Sequence, residues 1–113
     1  MTSPDATLSA ARSWIADDPD PRMRAELTAL VERAENGDDP ALAEIADAFD
    51  GTLAFGTAGL RGRIGPGPNR MNQVVVARAA AGLAAYLNER GGGAVVVGYD
   101  ARRDSDLFAQ TTA

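Results

Sequence analysis

"NQVVVARAAAGLAAYLNERGGGAVVVGY", residues 72–99, is the stretch on which the fold turns. Its first half repeats apolar residues at helical spacing. Val75, Ala79, Leu83, Tyr86 and Leu87 fall on one face, Asn72 stands where a capping residue belongs, and Gly91, Gly92 and Gly93 stop the run. The second half changes period. Val95, Val96 and Val97 are consecutive β-branched residues, the pattern of a strand covered on both faces, which favours parallel pairing. Beyond it, "DARRD" (100–104) leads to a new helical start at Ser105 with Leu107 and Phe108. Upstream, "TLAF" (52–55) is a short apolar run before the turn-rich "GTAGLRGRIGPGPNRMN" (56–72). Strand, loop, helix, strand, loop, helix predicts an α/β unit with right-handed crossovers.

Residues 1–51 read instead as a helical segment, so the expected organisation is helical over 1–51 and partial α/β over 52–113. "PDATLSAARSWIADD" (4–18) starts at an Asp5 cap and sets Leu8, Ala11, Trp14 and Ile15 at helical spacing. Asp20 followed by Pro21 is a cap with proline in the first turn. Leu27, Leu30, Val31 and Ala34 then repeat on one face and Gly37 closes a helix over about 21–35. The grammar recurs with Asp39, Pro40, the face Leu42, Ile45, Ala46 and Phe49, and Gly51 at the end. Asp17, Asp18 and Asp20 are expected to act as caps and dipole partners rather than metal ligands, because so short a turn offers too few oxygens for a hard cation. The remaining carboxylates are expected on solvated helical faces, and Trp14 and Tyr86 in the core.

Composition removes whole classes of chemistry. The 113 residues contain no Cys and no His, so a disulfide, a thiolate or imidazole metal site and a Ser-His-Asp triad are excluded within this chain. All eleven basic residues are Arg, which also excludes a Walker phosphate loop and a Schiff base. The net charge of -5 hides an asymmetry: residues 1–50 hold twelve acids and four arginines, residues 51–113 four acids and seven arginines. An acidic whole with six scattered aromatics does not fit a nucleic-acid binder. No apolar run is long enough for a bilayer and no secretory signal is present, so a cytoplasmic protein without a membrane partner is the expectation.

The basic half points to a small anion. In open α/β sheets ligands gather beyond the carboxyl ends of the strands, so loops 56–70 and 100–104 are expected to converge on one edge. Glycines at 56, 59 and 62 let backbone N–H groups approach an anion, and Arg61 adds a fork of donors that matches phosphate. Arg63 and Arg70 are expected to point to water, with "GPGPN" (65–69) as a plain turn. Asp100 and Arg102 read as a local ion pair or cap holding their loop. The glycine spacing is not a dinucleotide fingerprint, since "GTAGLRG" does not open the next helix.

Taken together, "FGTAGLRG" (55–62), "GPGPNRMN" (65–72), the "GLAAYL" helix and "VVVGYDARRDS" (95–105) resemble the N-terminal part of the phosphoglucomutase and phosphomannomutase family, the α-D-phosphohexomutases. The likeness runs from about Leu53 to Phe108, and the preceding helices resemble the lead-in of a bacterial phosphoglucomutase and phosphopentomutase branch. The resemblance implies an incomplete three-layer α/β/α domain with a mixed sheet, the first of four domains around a cleft. It implies a mutase interconverting sugar 1-phosphates and 6-phosphates through a bisphosphorylated sugar, with a phosphoserine and Mg2+. By position Arg61 inherits a phosphate contact in the cleft, Thr57 and Gly59 share its loop, and Asp100 and Arg102 are supporting. The family's "TASHNP"-like phosphoserine loop and "DGDGDR"-like metal loop are missing, and Ser3, Ser9, Ser13 and Ser105 lack that context. The chain alone is therefore expected to be inactive, with the phosphosugar and the remaining mutase domains as its partners. The other reading left open is a phosphate- or phosphosugar-binding α/β module without catalysis.

Overall fold

Helix starts in this chain are written locally, by an oxygen-bearing cap followed by proline, and three such signals build the first half of the computed structural model. The structure describes residues 3–57 and 59–113. Ser3 accepts from the Ala6 N–H at 3.2 Å and opens α1 (Pro4–Asp17). The cap expected at Asp5 is thus two residues late, because a proline in the first turn needs no N–H partner and leaves the capping position to the residue before it. Asp20 accepts from Arg22 N at 2.9 Å and opens α2 (Pro21–Glu35), the bounds the sequence predicts. Asp38, not Asp39, accepts from Ala41 N at 3.0 Å and opens α3 (Asp39–Ala48), where Pro40 sits in the first turn.

These helices share one core. Ala11, Trp14, Met23, Leu27, Val31, Ala41, Ile45 and Ala48 are buried, and α1, α2 and α3 all contact one another. The Trp14 and Phe49 rings meet edge to face at 5.8 Å between centroids. The indole Nε1 donates to Asp18 at 2.8 Å, and the other oxygen of that carboxylate accepts from Asp20 N at 2.9 Å. Ala46, expected in the core, is exposed, and Ala41 and Ala48 take the buried face of α3.

A short hairpin follows. Strand β1 (Phe55–Gly56) runs antiparallel to β2 (Gly59–Leu60), with Phe55 opposite Leu60 and Gly56 opposite Gly59. The "TLAF" run is therefore the first leg of a tight hairpin rather than a strand entering a parallel sheet. Two glycines facing each other leave room for so sharp a reversal, and Gly59 has φ +95°.

The chain separates into two compact units, Met1–Asn72 and Gln73–Ala113. In the second, α4 (Gln73–Glu89) ends in three glycines of positive φ and packs against α5 (Ser105–Thr112). Between them the structure departs from the sequence reading. Residues 94–99 form no strand and, among the described residues, pair with no other segment. Val96 is 97% exposed, and Val95, Tyr99 and Tyr86 are exposed as well. A strand's hydrogen bonds need a second segment at the right register, and none of the described segments supplies one. Tyr86 instead carries the Arg90 guanidinium 4.5 Å from its ring centre. No helix among the described residues is long and apolar enough to cross a membrane.

Candidate functional site

The loop between β2 and α4 answers why three arginines sit among glycines and prolines. Two of them meet carboxylates on α3. Arg63 pairs with Glu44, and Arg70, 5% exposed, places Nη2 at 2.6 Å from Asp47 Oδ2. The expectation that Arg70 points to water is corrected, Arg63 stays exposed but is paired, and Glu44 and Asp47 are not merely solvated. The partners lie 19 and 23 residues upstream, so inspection of the neighbouring sequence misses them. The available signal was their i, i+3 spacing, which puts both acids on one face of α3.

Residues 64–72 form a plug seated on that helix. Asn69 donates from its backbone N to Ala48 O at 3.0 Å and from its side chain to Asp47 O at 3.1 Å, two carbonyls in the last turn of α3. Gly67, at φ +115°, lies against the same place: a Cβ there would stand 2.7 Å from Ala48 O. Only glycine fits, for both conformation and space. Asn72 is fully buried and its amide donates to Gly65 O and Gly67 O at 2.8 Å each and to Arg70 O at 3.4 Å. The sequence assigned Asn72 a cap; the structure shows its amide tying the plug together.

The hairpin projects from this base. Its incoming leg is fixed by Leu53 N donating to Pro68 O at 2.8 Å, its outgoing leg by Met71 N donating to Arg63 O at 2.8 Å. Thr57, Gly59 and Arg61 are all exposed on it. Gly62 abuts Leu53, whose Cδ1 would lie 2.7 Å from an added Cβ, so the legs approach closely. A turn that carries an exposed guanidinium, a threonine and glycine backbone offers an anion several kinds of donor.

Asp100 and Arg102 belong to the second unit. Arg102 Nε donates to Asp100 Oδ2 at 2.8 Å, its backbone N to Oδ1 at 3.0 Å, and Ser105 Oγ to Oδ1 at 2.9 Å. The guanidinium, then the backbone N–H and the Ser105 hydroxyl hold the Asp100 carboxyl well below the usual carboxylate range, and Asp100 in turn raises Arg102. The cluster bends the chain into α5 behind Asp104, which has φ +65°. The local ion pair is the role the sequence suggested. The Mg2+ implied by the resemblance is not met by these residues: among the described residues no three carboxylates gather at one point.

The fold and hairpin define an α/β chain in which an exposed, arginine-bearing hairpin stands on a helical base. Residues 52–113 match the description "Phosphoglucomutase/phosphomannomutase, alpha/beta/alpha domain I". The chain belongs to that family, as an incomplete α/β/α domain I carrying an additional helical segment. It is 37% identical over 102 residues, 88% of this chain, to the phosphoribomutase of Saccharomyces cerevisiae, of which it covers 15%. It is 44% identical over 71 residues, 62% of this chain, to a phosphoglucomutase of Staphylococcus aureus strain RF122, covering 13% of it, and 42% identical over the same length to that of strain USA300. The chain thus spans about 15% or less of the length of these relatives. No solved structure matches it.

Proposed function

We propose that this chain supplies the phosphate-facing Arg61 hairpin of a phosphosugar mutase, an intramolecular phosphotransferase interconverting hexose 1-phosphate and 6-phosphate through a phosphoserine and a bisphosphorylated sugar. The observation that carries the reading is the contrast within one stretch. Arg70 is buried against Asp47 of α3, whereas Arg61, Thr57 and Gly59 are exposed on the hairpin. The family match and the relatives' names, mutases of a phosphopentose or a phosphohexose, support the substrate class.

In this reading Arg61 donates two parallel N–H bonds to phosphate oxygens, and Thr57 and the backbone around Gly59 complete the cradle. Phosphoryl transfer depends chiefly on positioning and on positive charge around the equatorial oxygens, which is what an exposed guanidinium on a fixed turn contributes. Asp100 and Arg102 shape the loop entering α5. The nucleophile and the Mg2+ loop come from other parts of the longer mutase. Ser3 is committed to a helix cap and Ser105 to Asp100, so neither serves as the phosphoserine here. The isolated chain binds phosphosugar and does not turn it over.

Titration of the 15N-labelled chain with glucose 1,6-bisphosphate tests this. Shifts confined to residues 56–63 that disappear in Arg61→Ala are expected. An unperturbed hairpin at millimolar ligand overturns the reading.

A further inference from the structure

The hairpin cannot hold itself. Two strands of two residues each make a minimal ladder, and an isolated hairpin is at best marginal in water. Yet both legs end in hydrogen bonds to the plug, Leu53 to Pro68 and Met71 to Arg63. The plug in turn is held to α3 by the Arg70–Asp47 pair, by Asn69 on the carbonyls of Asp47 and Ala48, and by Gly67 against Ala48.

We propose that Asp47 and Arg70 are positioning residues for the Arg61 hairpin, so that helix α3, which lies outside the family match, sets the geometry of the phosphate-facing turn. Mechanical continuity runs from Asp47 through Arg70 and its neighbours to both legs of the hairpin. A buried guanidinium is stable only when paired and hydrogen-bonded. Besides Asp47, Arg70 donates from Nη1 to Asn69 O at 3.2 Å, a weaker contact inside the plug. Loss of Asp47's charge therefore leaves Arg70 with reason to leave its site, carrying 68–71 and the hairpin legs with it. Groups that act by position are sensitive to shifts on the order of 1 Å.

The binding arm of the test rests on the proposed phosphate reading; the dynamic arm does not. Asp47 is 66% exposed at its side chain, so the isosteric Asp47→Asn changes the clamp without opening the core. In the full 113-residue chain, amide exchange at Leu53 and Met71 should accelerate about tenfold, the size expected for a charge-assisted bond. 15N relaxation should show increased mobility over residues 55–57 and 59–62, and glucose 1,6-bisphosphate should bind about tenfold more weakly by the same measure. Amides in α1 and α2 should be unchanged, and Asp47→Glu should restore most of the affinity. Unchanged exchange and mobility in Asp47→Asn overturns the clamp. Faster exchange with unchanged affinity makes Asp47 merely structural and overturns positioning. If the wild-type chain binds no bisphosphate, the phosphate reading fails by itself, and hairpin mobility alone then decides for or against the clamp.

Discussion

Leu27 and Val96 are both large apolar side chains, yet the first is wholly buried in the Met1–Asn72 unit and the second is 97% exposed in the Gln73–Ala113 unit. The difference lies in what each element needs. A helix satisfies its own backbone and asks neighbours only for a face, and three short helices close together in sequence provide such faces for one another. An extended run of valines satisfies nothing alone. Apolar residues of α1–α3 thus bury themselves where hydrogen bonding is local, whereas the valine run 95–97, whose hydrogen bonding would not be, stays exposed.

The comparison can be broken most directly with the same kind of substitution in each unit. Leu27→Ala should cost about 2–5 kcal/mol of the first unit's stability in urea unfolding followed by amide signals of α1–α3, whereas Leu83→Ala, at a residue 45% exposed, should cost less than about 1 kcal/mol. Similar losses would mean that exposure does not separate the units. Next in size, Asn72→Ala should destabilise the plug by about 1–3 kcal/mol, because it strips the donor from buried carbonyls without supplying another. The measurement is exchange protection at Leu53, Met71 and Asn69.

Acid distinguishes the units more finely. Asp100 is depressed by Arg102 and Ser105, so its stabilising contribution is fully present above the ordinary aspartate value of about 3.9 and is lost as pH falls below it towards the folded value. Asp38, lowered first by the Ala41 N–H and then by Arg33, follows the same sign in the first unit. Urea unfolding followed at the Ser105 amide from pH 5 to pH 2 should show a loss of stability that Asp100→Asn abolishes, while the loss followed at Ala41 survives. The smallest effect is expected at Val96→Asp, which should move the stability of either unit by no more than about 0.5 kcal/mol.

What could be read from the sequence follows the same divide. Helix α2 was legible to the residue, since Asp20, Pro21 and Gly37 act within a few positions of the ends they define. Of the caps misplaced by one or two residues, Asp5 for Ser3 reflects the proline that leaves the capping position to the residue before it, and Asp39 for Asp38 reflects two acids standing side by side with nearly equal claims. The family was legible from motifs in order, and the match over residues 52–113 bears it out. The pairing of Arg70 with Asp47 was not, because it depends on how α3 lies against a loop two dozen residues later. The parallel strand at 95–97 was expected from composition alone, and composition cannot say whether a partner strand is at hand. Thr57, Gly59 and Arg61 share a hairpin as their closeness in sequence suggested, and their contact with phosphate rests on the titration proposed above.

Gly67 against Ala48 has a practical consequence for anyone re-engineering this chain. Segments rich in glycine and proline are the customary places to insert a tag, join a fusion partner or open new termini, because exposed loop tips usually tolerate such cuts. "GPGPN" invites that choice and should refuse it, since its carbonyls are occupied by Asn72 and its backbone touches a helix. The permissive site is Gly91, Gly92 and Gly93, where added side chains would meet nothing within 4 Å.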